Sequence, residues 1–120
     1  MSYDISFRVK IEKKDLYVDV SGFYGEPNIT WNVRELIKQS SGWEIKNCDS
    51  NGSIFEWVNK IKKGIAELET SPEKYKQYES PNVWGTVEGT LSFYRDCLKM
   101  FDEFIKWEEE LADVAVVWVS

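Results

Sequence analysis

The six consecutive apolar residues 114–119 constrain the fold of this chain more than any other segment. A strand built from them is apolar on both faces, which is typical of a strand at the centre of a sheet or covered on both sides. The chain has 120 residues, which is enough for one hydrophobic core. We therefore predict a single domain, residues 1–120, with residues 114–119 as an inner strand.

Two further strands are predicted near the start of the chain. Apolar and polar residues alternate over residues 5–12 and again over residues 16–21, which is typical of half-buried strands. The polar residues 13–15 between them favour a turn, so we expect a β-hairpin. Gly25 and Pro27 then predict a loop.

A short helix is predicted over residues 30–41. Asn28 or Thr30 can cap its first turn, and Gly42 is suited to the position after its last residue. The polar residues 47–52 that follow predict a second loop.

Two longer helices are predicted in the second half of the chain. Ser53 and Glu56 form a capping box at the start of the first of these helices, and Pro72 begins a short helix that extends it. The other is predicted over residues 86–110. The apolar side chains of both helices step by three and four residues, as one helical face requires: Ile54, Val58, Ile61, Ile65 and Leu68 in the first, and Leu91, Tyr94, Leu98, Phe101 and Ile105 in the second.

These elements predict an α+β fold in the order β-β-α-α-α-β. We expect a small antiparallel or mixed sheet, made of the N-terminal hairpin and the C-terminal strand, to pack against three helices.

The composition excludes several classes of site. The chain has no histidine and only two cysteines, which excludes Ser-His-Asp catalysis, histidine-based zinc or iron sites and a four-cysteine zinc site within one chain. Two cysteines do not form a disulfide framework, and neither a signal peptide nor a membrane-spanning run is recognisable. We therefore expect a cytoplasmic protein that is not an enzyme, with no metal, no cofactor and no membrane partner.

Negative charge is concentrated in one segment. The formal net charge is −6, and residues 102–113 hold six acids and one lysine. Because the chain has no basic stripe, direct binding to nucleic acid is not expected. The acidic segment has three interpretations: a solvated helix face, a docking patch that includes Glu103, Glu109 and Glu110, or an imitation of nucleic-acid phosphates. The glutamates in its predicted last turn oppose the helix dipole at a small cost in stability.

A first candidate ligand site lies at residues 28–34. The start of a helix presents unpaired N–H groups that can bind an anion. Asn28, Thr30, Asn32 and Arg34 could add donors there, and Trp31 could add a stacking surface. The alternative is that these polar residues only cap their own helix.

A second candidate lies at residues 82–89, before and within the first turn of the last predicted helix. Gly85 allows a tight turn just before the helix. Gly89 is unfavourable in a helix, so we expect a group to approach the backbone closely at Gly89. Thr86 and Glu88 could bind a ligand there, or the segment could be purely structural. Trp84, together with Tyr75 and Tyr78, could line a pocket for a flat ligand, although core packing is the usual role of such aromatics.

The chain resembles a family of small uncharacterised phage and prophage proteins. The resemblance rests on residues 3–5 and 72–75, on the stretch Asn-Ile-Thr-Trp-Asn at residues 28–32, and on Asn-Val-Trp-Gly-Thr-Val-Glu-Gly at residues 82–89. It spans nearly the whole chain, with one departure: the family often has glycine where this chain has Val83.

The resemblance implies a phage-encoded accessory protein that counters host defence in the host cell cytoplasm. We expect a non-catalytic homo-oligomer that sequesters a nucleotide-like signalling molecule. The expected ligand-binding residues come from both motifs: Asn28, Thr30, Trp31, Asn32, Arg34, Tyr78, Trp84, Gly85, Thr86 and Glu88. An alternative is an acidic protein-binding inhibitor of a host defence effector, such as a CRISPR nuclease, that acts through Glu103, Glu109 and Glu110. An enzyme that uses Glu88 as a general base or a magnesium ligand is the least favoured interpretation.

Overall fold

An antiparallel sheet and the helices on one of its faces make up the protein. The computed structural model describes residues 2–14, 16–22, 24–25, 27–80 and 85–120. Within these ranges the strands are β1 (Ser2–Lys10), β2 (Tyr17–Asp19), β3 (Asn28–Thr30), β4 (Asp49–Ser53) and β5 (Val116–Val119). The helices are α1 (Arg34–Ser41), α2 (Ile54–Thr70), α3 (Pro72–Tyr75), α4 (Val87–Trp107) and α5 (Glu109–Ala112).

The strand order is β2-β1-β5-β4, and β3 pairs with the first residues of β1. All of these pairings are antiparallel. β5 therefore lies at the centre of the sheet, between β1 and β4, as its apolar sequence predicts. Phe7 of β1 is paired with Val117 of β5, and both side chains are fully buried.

Aromatic side chains join the sheet to α4. The ring of Phe7 lies 5.0 Å from the ring of Phe101 and 4.4 Å from that of Phe104. Because side chains alternate along a strand, the burial of Phe7 and Val117 beneath the helices places Arg8 and Trp118 on the opposite face of the sheet.

The α+β class and the N-terminal hairpin are confirmed, but the predicted element order is incomplete. It omits β3 and β4, and the prediction of a loop over residues 47–52 is wrong. β4 has the sequence Asp-Ser-Asn-Gly-Ser, which carries no apolar alternation. It is a strand because it pairs with β5, with a shift in register between Ser50 and Ser53.

The helix boundaries follow the sequence signals more closely, except that α1 begins at Arg34 and not at residue 30, because Thr30 belongs to β3 and the 3-10 turn Trp31–Val33 follows it. Thr30 accepts a hydrogen bond from the backbone of Asn32, and Gly42 has the left-handed conformation (φ 81°) that favours glycine after a helix. Ser53 caps α2 by accepting a hydrogen bond from the N–H of Phe55. Pro72 lies in the first turn of α3.

The last predicted helix differs from the structure in its end and in its buried face. α4 ends at Trp107, because the backbone leaves helical geometry at Glu108 (φ −126°, ψ 51°) and α5 follows. The buried stripe of α4 is also rotated from the predicted one. Tyr94 and Phe101 are fully buried as predicted, whereas the other predicted core residues of α4 are only partly buried: Leu91, Leu98 and Ile105.

Candidate functional site

The first motif, residues 28–34, is largely engaged in local structure. Asn28 belongs to β3 and is paired with Asp4 of β1. The hydroxyl of Thr30 accepts a hydrogen bond from the N–H of Asn32 at 3.4 Å. Trp31 is 38% exposed, and its ring lies 5.8 Å from the ring of Tyr3. Thr30 thus caps the 3-10 turn Trp31–Val33, whereas the start of α1 at Arg34 has no side-chain cap.

Arg34 lies at the start of α1 and contacts the segment that follows this helix. Its Nη2 donates a hydrogen bond to the backbone carbonyl of Ile45 at 3.3 Å. A shallow concavity of about 270 Å³ surrounds it, lined also by Glu35, Lys38, Trp43 and Glu44. Because this concavity holds two bases and two acids, it offers no net charge that would select an anion.

The two motifs meet at Gly85. Gly85 is buried, and a Cβ atom added there would lie 2.6 Å from Cγ1 of Val33 and 3.4 Å from Cβ of Asn32. A close approach is therefore present at Gly85, where the sequence predicts only a tight turn, and its partner is the turn that precedes α1. Trp84 lies outside the described residues, so the structure does not place it relative to this contact.

The start of α4 is capped by the protein's own oxygen atoms. The N–H of Val87 donates to the carboxylate of Glu79 at 2.7 Å, and the N–H of Gly89 donates to the hydroxyl of Thr86 at 2.9 Å. The N–H of Thr90 donates to the carbonyl of Thr86 at 3.0 Å. Two of the N–H groups with which this helix could bind an anion, those of Val87 and Gly89, are thus already hydrogen-bonded, and the Thr90 bond is the first one within the helix.

Neither Glu79 nor the role of Gly89 follows from the sequence. Glu79 lies eight residues before Val87, and no local pattern links the two. A Cβ atom added at Gly89 would meet the hydroxyl of Thr86 at 3.1 Å, so the expected close neighbour is the capping oxygen. Glu88 is exposed.

The tyrosines of the 75–78 segment pack on each other and on α2. Tyr75 is buried, its ring lies 6.4 Å from that of Tyr78, and its hydroxyl donates to the carboxylate of Glu67 at 2.9 Å. Burial, and then the hydrogen bond to Glu67, raise the pKa of Tyr75 to about 12. Tyr78 is partly buried against the core. Core packing, the usual role of such aromatics, accounts for both rings.

An exposed apolar surface lies where α4 gives way to α5. Trp107 is 68% exposed, and Leu111 and Val114 are 36% and 59% exposed. A concavity of about 370 Å³ is formed by five consecutive residues, which we call the α4–α5 corner: Trp107, Glu108, Glu109, Glu110 and Leu111. The sequence does not single out Trp107, because the predicted helix continues to residue 110 and so no break is expected at this position.

The acids around the corner are mostly unpaired. Glu103 precedes Trp107 by one helical turn, and it is exposed, as are Glu109 and Glu110. Among the described residues, none of these three carboxylates forms an ion pair. Glu108 accepts a hydrogen bond from the hydroxyl of Tyr24 at 3.4 Å. Burial and then the charge of Glu108 raise the pKa of Tyr24.

The break at Glu108 changes the expected electrostatics of this segment. Glu109 and Glu110 lie in the first turn of α5, not in the last turn of α4. Negative charge is favoured at the start of a helix and disfavoured at its end. The cost expected from glutamates in a last helical turn therefore does not apply to these two residues.

Two further observations concern metal sites and membranes. Within the ranges that the structure describes, no three carboxylate or thiol side chains are grouped so that they could hold a metal ion. In the same ranges, no helix combines the length and the apolar character needed to cross a bilayer.

Comparisons with protein families, with curated proteins and with solved structures found no match to this chain.

Proposed function

We propose that this chain is a non-catalytic protein-binding module that uses the α4–α5 corner to bind a basic, partly apolar segment of another protein. The observation that carries this proposal is the 68% exposure of Trp107 at the centre of an acidic surface. It supports the alternative inferred from the sequence, an acidic inhibitor that acts through Glu103, Glu109 and Glu110.

The arrangement of the corner supports a protein partner. Tryptophan is usually largely buried, and exposed tryptophans are enriched among the residues that dominate binding energies at interfaces. Here Trp107 and Leu111 supply an apolar centre, and the glutamates supply a polar rim, which is the usual composition of an interface.

The charge of the corner selects the chemistry of the partner. Residues 102–113 carry six acids against Lys106, whose ammonium lies 4.9 Å from the ring centroid of Trp107. A basic partner segment would be attracted over several ångströms, and an acidic one would be repelled. We infer that the partner presents lysine or arginine beside an apolar side chain that fills the concavity.

Photo-crosslinking from the corner tests this proposal and identifies the partner in the same experiment. A photoreactive phenylalanine derivative replaces Val114, which is 59% exposed on the same apolar surface, so that Trp107 stays in place in the full chain, which is expressed in its natural host. The matched control carries the same derivative at Phe55, an exposed aromatic on α2 (43%). We expect position 114, and not position 55, to crosslink one protein through a segment of net positive charge. Equal crosslinking from both positions, or an acidic crosslinked segment, would contradict the proposal.

The nucleotide-sequestering protein predicted from the sequence is a second proposal. Its support is the contact of Gly85 with Asn32 and Val33, which brings the two motifs together. A panel of nucleotides tests it by thermal shift, because a ligand at about 100 times its Kd adds about 2.7 kcal/mol to the free energy of unfolding. The phage origin, the homo-oligomer, the host defence effector and the host cytoplasm also remain proposals that rest on the resemblance.

A further inference from the structure

Three side chains from three strands lie together on the face of the sheet opposite Phe7. The guanidinium carbon of Arg8 on β1 lies 4.3 Å from the ring centroid of Trp118 on β5. The ring of Tyr17 on β2 lies 5.1 Å from the ring of Trp118. We call Arg8, Tyr17 and Trp118 the outer cluster. Each member is only partly buried, so each keeps some surface in contact with solvent.

Among the described residues, no ion pair holds the positive charge of the outer cluster. Arg8 forms none there, and its Nε is buried without a hydrogen-bond acceptor. Asp19 is paired with Arg8 across the strands, but the two side chains form no ion pair, and Oδ1 of Asp19 accepts a hydrogen bond from the N–H of Ser21 at 2.7 Å. Lys10, the next residue of β1 on this face, is exposed and likewise has no ion pair among the described residues. Asp4, the other acid on this face, lies near the opposite end of β1.

A buried donor without an acceptor is unfavourable. The Arg8 guanidinium stacks on Trp118, and among the described residues no ion pair occupies its terminal nitrogens. Arginine beside aromatic rings is a combination that binds flat rings by stacking and phosphate by charge-assisted hydrogen bonds. The cluster is therefore complementary to a ligand that carries both an aromatic ring and an anionic group.

We propose that the outer cluster binds a mononucleotide. The base stacks on the solvent-facing surface of Tyr17 and Trp118, and the phosphate is bound by Arg8 and Lys10. A single nucleotide fits better than a nucleic-acid strand, because the cluster offers one stacking surface and the net charge of −6 opposes a polyanion. This site shares no residue with the α4–α5 corner and does not depend on the function proposed for that corner.

Nuclear magnetic resonance can locate the ligand on the full-length protein. The isotope-labelled chain is titrated with AMP, GMP, CMP and UMP, and with adenosine and inorganic phosphate separately. We expect at least one nucleotide to shift the indole N–H signal of Trp118 and the Nε–H signal of Arg8. Adenosine or phosphate alone should bind at least about tenfold more weakly than the best nucleotide, because each lacks one of the two contacts.

Variants distinguish a binding role of Arg8 from a structural one. R8Q should weaken binding by at least about tenfold, since it removes the charged donor from the phosphate. R95Q is the matched control: Arg95 is exposed and pairs with Glu69 at 3.2 Å on the helical side of the molecule. If R8Q does not fold, Y17L on the three-residue edge strand β2 tests the stacking contact instead.

Shifts that are confined to residues 30–34 and 85–89 would overturn the inference and favour the site predicted from the sequence motifs. An absence of shifts with all four nucleotides at concentrations of about 10 mM would overturn it as well, since the Kd would then lie well above about 10 mM.

Discussion

Gly85 lies so close to Val33 that a Cβ atom at position 85 would be only 2.6 Å from the Cγ1 atom of that valine. The start of α4 is thereby held against the turn that precedes α1, and the two motifs singled out in the sequence form one contact. The contact explains why glycine is needed at this position without invoking a ligand.

G85A should destabilise the protein by about 1–3 kcal/mol, because the added methyl group overlaps Val33 in a buried contact. Urea unfolding measures this change. G89A is the matched comparison, since its Cβ would meet only the Thr86 hydroxyl, at 3.1 Å. We expect G89A to change the free energy of unfolding by less than about 1 kcal/mol. Equal losses in the two variants would contradict the account of the Gly85–Val33 contact.

Asn51 connects the segment after α1 to β4, and its removal should be costly. Its Oδ1 accepts hydrogen bonds from the indole of Trp43 at 3.0 Å and from the N–H of Lys46 at 2.8 Å. Its Nδ2 donates to the carbonyls of Lys46 and Asp49. N51A leaves the buried indole N–H of Trp43 and three partly buried backbone groups without these partners, and we expect a loss of at least about 3 kcal/mol in chemical denaturation. The exposed Asn47 is the control, and N47A should stay within about 0.5 kcal/mol of the wild type.

The two cysteines should differ in their reactivity with a thiol reagent. Cys48 is exposed, whereas Cys97 lies fully buried in α4, where burial raises the pKa of its thiol well above the usual range. We expect one fast-reacting thiol in the folded protein and a second only after denaturation. C48S should eliminate the fast reaction. Rapid modification of both thiols in the folded protein would show that the packing of α4 described above is incorrect.

Stability should fall in alkali because of Tyr94. Burial raises its pKa to about 12, although hydrogen bonds with Ser40 and Ser41 partly oppose the shift. The same group titrates near pH 10 in an unfolded chain, so the folded state holds the proton more tightly. Its contribution to stability is therefore complete below about pH 10 and is lost as the pH rises towards about 12.

Unfolding by urea at a series of pH values, with tyrosinate absorbance followed in parallel, measures this effect. Y94F should show a shallower decline of stability between about pH 10 and 12 than the wild type. Tyr75, whose pKa is also raised to about 12, accounts for part of the decline that remains. Parallel pH profiles for the wild type and Y94F would exclude Tyr94 as the cause.

The sequence predicts those elements whose burial leaves a periodic signal. β5 is predicted because it is apolar on both faces, and α2 because its apolar residues repeat every three or four positions. β4 is not predicted, because a polar strand at a sheet edge is defined by its pairing with β5, which lies more than 60 residues later in the chain. Such a long-range pairing leaves no local pattern.

The candidate sites likewise combine features that leave a local signal in the sequence with contacts that leave none. The sequence predicts a tight turn at Gly85, but it does not predict that Val33 packs against this glycine. In the sequence Trp107 belongs to a continuous helical pattern, because neither glycine nor proline marks the break at Glu108. The outer cluster joins residues from positions 8, 17 and 118, which only the strand order brings together.

The affinity of the crosslinked partner for W107A tests the central claim most directly. We predict that W107A weakens binding by at least about thirtyfold, as truncation of an interface hot spot does, and changes the free energy of unfolding by less than about 0.5 kcal/mol. F55A, which truncates the exposed aromatic on α2, should bind like the wild type. Unchanged affinity in W107A, or a loss equal to that in F55A, would contradict the assignment of the α4–α5 corner as the binding surface.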